Sequence, residues 1–423
     1  MGKGTGRFAP AWISLVCCSM LMTSVSGQAR AESLSSSIHP AGIHVGIHEN
    51  PPLPLKETAD AGTGELAAHA RSAVLMDFAT GKVLFEKDAH ERLPMASITK
   101  IMTLLLIMED IDRGKIKLSD PVKASEYAAS MGGSQVFLEP GEVMTVDDLI
   151  KSIAMASAND ACVAMAEHLN GTEQAFVRRM NQRARELGML DTHFANSNGL
   201  PAANHYSSAH DIALMSRELL KHSQITRWTS VYSDYLRKDT THPLWLVNTN
   251  KLVRFYDGVD GLKTGYTTEA KYCLSATARR GDFRVIAIVM GEPKVTVRNQ
   301  EVTQMLNWAF GQFESKVLYP AGRTVGKVEV IHGNPPFVPV KVADTVGILR
   351  EKGSSVRYET RMNLQRVKAP IQQGQRVGTL QIYDLEHQRI AAEVPLIAAA
   401  PVKKAGFFQS VGQTVRKIVT FGH

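Results

Sequence analysis

Pro94-Met95-Ala96-Ser97-Ile98-Thr99-Lys100 carries the only S-x-x-K pattern in the 423-residue chain and opens a long apolar run. Residues three apart on a helix share a face, so this spacing sets a hydroxyl and an amine one turn from each other. Ile98, Ile101, Met102 and Leu104 to Met108 leave almost no polar face, which predicts a helix over Ser97–Asp110 lying inside the protein. A central buried helix must be surrounded by other elements, and the rest of the chain supplies them.

Upstream, the run 72–77 and the run 82–86, separated by Thr80-Gly81, predict a two-stranded hairpin. Downstream, Thr145 and Asp148 form a capping-box-like start for a helix through Met155. Ser157-Ala158-Asn159 interrupts it, and a helix follows from Asp160 to Leu169, closed by Asn170-Gly171. Helices are expected at 172–187 and 208–221, strands at 261–264, 272–277 and 283–289, and a helix at 296–313. Helices with an antiparallel sheet drawn from both ends of the segment predict an α+β domain over 69–315. Short β-branched runs separated by Gly and Pro then predict a small all-β domain over 316–398.

In the last stretch, 399–423, Phe407, Phe408, Val411, Val415, Ile418 and Val419 fall on one helical face, flanked by Lys403, Lys404, Arg416 and Lys417. This predicts an amphipathic helix lying on an anionic membrane surface, with docking onto the protein itself as the alternative. At the other end, Lys3 and Arg7 precede an apolar run from Trp12 to Met22, and Ala29-Arg30-Ala31 supplies a small-x-small cleavage site. Residues 1–31 therefore read as a signal peptide and the mature protein as exported. Residues 32–68, rich in Ser, Pro, Gly and His, read as a disordered leader. His39, His44 and His48 have no Cys or carboxylate cluster near them and read as solvated rather than metal-binding.

The chain is 44% apolar, enough for a sizeable core, and its net charge of +7 is spread out. That distribution argues against nucleic-acid binding, which needs a concentrated basic stripe. Past the signal peptide only Cys162 and Cys273 remain, both in apolar stretches; they read as buried free thiols, not a disulfide framework.

The chemistry lies in three triplets. Lys100 activates Ser97 only if its amine is neutral, which burial or a second cation such as Lys263 would favour. Ser157 offers a hydroxyl for proton relay and Asn159 an amide for holding a substrate amide. Lys263 and Thr264 pair a cation with a hydroxyl suited to a carboxylate, while Gly265 lets a backbone approach closely. The backbone N–H groups of Ser97 and Tyr266 are the candidate oxyanion hole, where one donor contributes about 3 kcal/mol.

Together the triplets match a signature shared by class A β-lactamases and penicillin-binding proteins. More closely, the chain resembles the low-molecular-mass penicillin-binding proteins that are D-alanyl-D-alanine carboxypeptidases. The phrases Ser134-Gln135-Val136-Phe137-Leu138, Ala158-Asn159-Asp160-Ala161-Cys162-Val163-Ala164 and Asp260-Gly261-Leu262-Lys263-Thr264-Gly265 support this. The resemblance spans about 70–397 and implies a β-lactamase/transpeptidase-like catalytic domain with a C-terminal membrane anchor. It implies a serine acyl-enzyme on a peptidoglycan stem peptide, β-lactams as slow-turnover mimics, no cofactor, and a place on the outer face of the bacterial cytoplasmic membrane. Ser97 would attack the penultimate D-alanine, Lys100 act as base, Ser157 relay a proton and Asn159 hold the peptide. Lys263, Thr264 and Arg298 would bind the terminal carboxylate. One departure is Asn198 before Gly199-Leu200, where the family often has histidine. A β-lactamase is disfavoured because Glu167, Glu173, Glu186 and Glu218 all lack an Asn four residues on. A non-catalytic penicillin-binding scaffold is disfavoured by the intact triplets.

Overall fold

A computed structural model describes residues 66–406. The hairpin forms as expected, from β1 (Ser72–Asp77) and β2 (Val83–Lys87). Asp77 Oδ2 accepts from Thr80 N at 2.8 Å and closes the turn. Three long strands, β3 (Val259–Thr267), β4 (Lys271–Arg280) and β5 (Phe283–Glu292), complete an antiparallel sheet in the order β2-β1-β5-β4-β3. The first and last strands of this sheet in chain order thus lie side by side, β1 pairing with β5.

Both faces of the sheet are covered, which explains why β1 and β5 read as continuous apolar runs. Val74, Met76, Ile286, Ile288 and Met290 join the large helical core. Ala73, Leu75, Val285, Ala287 and Val289 point the other way, against Val302, Met305, Leu306 and Phe310 of the long helix Val295–Gln312. On the first side, α1 (Lys100–Asp112) is buried from Lys100 to Asp110, as its apolar circumference requires. Around it pack α2 (Asn159–Asn170), α3 (Glu173–Glu186) and α4 (Ala209–Lys221); the helix behind the sheet, Val295–Gln312, is α5.

Two local features depart from the helices expected. Ser97 lies not in α1 but in a 3₁₀ turn, Ala96–Thr99, because the chain enters sharply with Ala96 at φ +48°. The helix after Thr145 is α-helical only from Val146 to Lys151, then widens into a π-helical turn, Ser152–Ala156. Ser157, left-handed at φ +63°, ends it by donating its N–H to Ser152 O. The Thr145 cap itself forms, its hydroxyl accepting from Asp148 N at 3.1 Å.

Leu66 and Ala67, within the segment expected to be a disordered leader, are buried, and Lys87 Nζ donates to Ala67 O and Ala68 O. A strand from Phe313 to Tyr319 opens the second domain, antiparallel to Val346–Glu351. The larger sheet there runs in the order Tyr358–Leu364, Arg376–Asp384, Arg389–Ala398, Phe337–Val342, Thr324–Ile331, Val367–Lys368, over a Val/Ile/Leu core. Of the segment assigned to the amphipathic helix, Lys403–Lys404 form a short strand against Gly333–Asn334, and Val402 and Ala405 are buried. The helix expected beyond them, like the expected signal peptide and most of the expected leader, lies outside the described residues.

Candidate active site

Three elements converge on Ser97. The 3₁₀ turn carries it, α1 brings Lys100 beneath it, and β3 runs beside both. A Cβ at Gly265 would lie 2.8 Å from Met95 O and 3.1 Å from Ile98 Cγ1, so β3 reaches the nucleophile's turn only because that position has no side chain. The loop Asn196–Leu200 presses from the other side. At Gly199, φ +87°, a Cβ would stand 2.1 Å from Ala96 O, directly behind Ser97. Thr99 Oγ1 donates to Ala96 O at 2.8 Å and pairs with His205 Nε2 at 2.7 Å. Since His205 Nδ1 accepts from Ala195 N, its Nε2 carries the proton. Burial pushes the imidazole down to about 4, so it stays neutral. The strained Ala96 backbone is thereby held from both sides.

Lys100 is completely buried. Its Nζ lies 2.9 Å from Ser97 Oγ and 2.7 Å from Asn159 Oδ1, and it also bonds Asn198 O. Two of these partners are carbonyl oxygens that only accept, whereas Ser97 Oγ can also donate. A neutral amine would give its two N–H bonds to the carbonyls and turn its lone pair to the Ser97 hydroxyl. Burial lowers the Lys100 pKa to about 8, opposed in part by Asp160, so a usable neutral fraction exists near neutrality. Asp160 is occupied structurally: its carboxylate accepts from Val136 N and Leu138 N at 3.0 and 3.1 Å.

Asn159 is drawn into this network from both ends of its amide, since Nδ2 donates to Gly132 O at 2.7 Å. The geometry therefore makes Asn159 a positioner of Lys100, with one N–H left for a substrate. Ser157 is buried, and its hydroxyl has no hydrogen-bond partner among the described residues. Lys263 is equally buried and donates to Thr264 O at 2.8 Å. Burial, with Lys100 and Arg298 nearby, holds its amine well below the usual lysine range. Thr264 Oγ1 donates to Thr249 Oγ1 at 2.7 Å. Tyr266 turns its ring outward onto Tyr272, with centroids 4.4 Å apart.

Arg298 sits on α5, buried, its guanidinium bonding Asn299 Oδ1 at 2.8 Å. Burial lowers it to about 10, which leaves it charged. Three buried basic side chains, Lys100, Lys263 and Arg298, lie near enough for two of them to depress the third, a setting that suits an anionic substrate group. The buried thiols Cys162 and Cys273 are pushed by burial up to about 12 and about 11, so both are unreactive packing groups.

Sequence reasoning missed Asn198, Thr249, Thr99 and His205 as supports. The Asn198 contribution to Lys100 is a backbone carbonyl that any residue supplies, which explains why asparagine serves where histidine is frequent. The turn-forming run Asn196-Ser197-Asn198-Gly199 was the available signal.

A half-buried serine hydrogen-bonded to a buried amine, on an antiparallel sheet edge lined by further cations, defines an active-site-serine acyl-transfer enzyme. The chain belongs to the D-alanyl-D-alanine carboxypeptidase family: the family model of that description matches residues 57–294. The model for the C-terminal domain of penicillin-binding protein 5 matches 313–404. It is 51% identical over 356 residues to D-alanyl-D-alanine carboxypeptidase DacF of Bacillus subtilis, covering 84% of this chain and 91% of that protein. Penicillin binding protein 5 of Haemophilus influenzae is structurally similar, with TM-score 0.62 and 29% identity over 79% of this chain and 98% of that one. Ampicillin-bound penicillin-binding protein D2 of Listeria monocytogenes matches at TM-score 0.52 and 29% identity, over 58% of this chain and 98% of that one.

Proposed function

We propose that this protein is a serine-type D-Ala-D-Ala carboxypeptidase that trims the terminal D-alanine from peptidoglycan stem pentapeptides through a Ser97 acyl-enzyme. The observation that carries this reading is the Lys100 amine, whose two fixed carbonyl acceptors leave its third direction aimed at Ser97 Oγ. The stem's terminal carboxylate enters beside Lys263 and Thr264, where it gives the buried amine a counter-charge, with Arg298 adding to the field. Ser97 Oγ then bonds to the penultimate carbonyl carbon as its proton passes to Lys100 Nζ. The oxyanion takes donors from the Ser97 and Tyr266 backbones. As the C–N bond breaks, Ser157 relays the proton to the leaving amine, and D-alanine departs. Water attacks the ester, the proton again taken by Lys100, and Ser97 is restored.

A β-lactam acylates the same serine, and rapid hydrolysis of that adduct is not expected. The glutamates between the second and third triplets are tied elsewhere: Glu167 to Ser125, Glu173 to Ser197, Glu218 to Arg183 and Glu186 to Gln182. The test is D-alanine release from a peptide ending in D-Ala-D-Ala, run beside benzylpenicillin. Below the Lys100 pKa of about 8, kcat/KM should rise about tenfold per pH unit as the amine loses its proton, then level off. Release that is flat from pH 6 to 9 would contradict the base assignment. No release from folded protein would refute the carboxypeptidase reading.

The export signal and the amphipathic C-terminal segment support a site of action outside the cytoplasmic membrane, with the segment lying on anionic lipid. Because Val402 and Ala405 are core residues of the β domain, the informative truncation is after Gly406, not earlier. That truncated protein should keep full activity and lose sedimentation with phosphatidylglycerol vesicles. Unchanged sedimentation would place the membrane contact elsewhere.

A further inference from the structure

The strand Tyr358–Leu364 lies at one end of the six-stranded sheet of the β domain. It pairs with Arg376–Asp384 without a register shift and contains no Pro, Lys or Gly. Soluble proteins usually blunt an edge strand with such residues or a bulge, because a straight, bare edge accepts another strand. Which backbone groups are bare follows from the bonds at its two ends. Gln365 N donates to Val377 O at 2.9 Å, and Arg357 O accepts from Leu385 N at 3.0 Å. Antiparallel pairing alternates, so the odd-numbered residues between them turn their N–H and C=O groups into the sheet. The N–H and C=O groups of Tyr358, Thr360, Met362 and Leu364 therefore point to the open side.

The side chains fit a covered edge better than a solvated one. Met362 and Leu364 lie opposite Leu380 and Gly378, on the face where Leu380 and Ile382 are buried. Yet Met362 is 49% and Leu364 42% exposed, so an apolar strip reaches the open edge. On the other face Arg361 pairs with Glu359 at 2.9 Å and lies over the Tyr383 ring. The two charges of the strand neutralise each other and do not repel an incoming neighbour.

The strand is also complementary to itself. An antiparallel copy related by a two-fold axis through Thr360 sets Glu359 against the partner's Arg361, and Arg361 against the partner's Glu359. The same axis sets Tyr358 against the partner's Met362, an aromatic ring against a thioether. Moving the axis one residue either way brings Arg361 onto Arg361 or Glu359 onto Glu359, which like charge disfavours. One register is singled out, and in it the outward backbone groups of the two strands meet as hydrogen-bonded pairs.

We propose that the β domain joins two copies of this chain edge to edge, the strand Tyr358–Leu364 of each pairing antiparallel about Thr360. No residue of the catalytic site takes part. One short strand a side makes an interface below the standard size, so the dimer is weak, with a dissociation constant on the order of 10–100 µM.

The test is sedimentation velocity of the full chain at loadings from about 2 to about 200 µM, which bracket that constant. Wild-type protein should pass from monomer to dimer across this range. Glu359→Arg and Arg361→Glu should each weaken association more than about tenfold, since each sets like charges face to face twice. Mixed in equal amounts, the two variants place arginines against glutamates and should associate as the wild type does. Both positions are exposed, so penicillin labelling and melting of each variant should match the wild type. A wild-type protein that stays monomeric, a single variant that associates like the wild type, or a mixture that does not recover would each overturn the proposal.

Discussion

Ser97→Ala protein should take up no covalent penicillin and release no D-alanine, while melting within about 3 °C of the wild type. The chemical loss is total because among the described residues no other hydroxyl is bonded to the Lys100 amine; Ser157 makes no such contact. The structural loss is small. Ser97 Oγ is half-buried and gives up one hydrogen bond, while Lys100 keeps Asn159 Oδ1 and Asn198 O as acceptors. Gel fluorescence with a labelled penicillin, beside a melting curve, reads both quantities. Persistent labelling in a folded variant would remove Ser97 as the nucleophile.

Lys100→Met should slow acylation by a factor on the order of 10² to 10⁴, the range for loss of a positioned general base. Methionine matches the length and apolar body of the side chain in a fully buried site. It leaves two carbonyl oxygens without their donor, each costing about 1–3 kcal/mol. Relief of the desolvated ammonium offsets part of that cost. Lys100→Arg should fail as well, since a guanidinium stays protonated and its planar fork does not fit the three acceptors. Stopped-flow acylation by a chromogenic cephalosporin measures the effect. A Lys100→Met rate within tenfold of the wild type would exclude Lys100 as the base.

The architecture was legible wherever local pattern and burial agree. The apolar circumference of α1, the continuous apolar runs of β1 and β5 and the cap at Thr145 all appear where the residues place them. What was not legible are features set by contacts distant in sequence. Ala96 adopts a positive φ because Gly199, about a hundred residues on, packs against its carbonyl and Thr99 ties that carbonyl down. No property of alanine announces this. The π-helical turn before Ser157 similarly follows from the need to deliver a left-handed residue into the cleft, while Ser152 reads as an ordinary helical serine.

The site shows the same division. The triplets pointed to Ser97, Lys100 and Lys263 because side-chain chemistry is written in residue types. The spatial convergence of the three triplets required the sheet order, in which β3 lies at one edge and comes to the 3₁₀ turn through Gly265. Asn159 shows what spacing alone obscures: its amide spends both ends on Lys100 and Gly132, so its first duty is to orient the base. The lowered Lys100 pKa follows chiefly from burial. Repulsion from the second cation falls instead on Lys263, where it reinforces burial.

The central claim is that Ser97 is acylated by groups that mimic D-Ala-D-Ala. It is tested most directly by mixing the protein with benzylpenicillin, measuring intact mass, and mapping the adduct by peptide fragmentation. The account requires one penicilloyl group per chain, carried by Ser97 and lost only slowly. An adduct on any other residue, or a folded protein that takes up none, would contradict it.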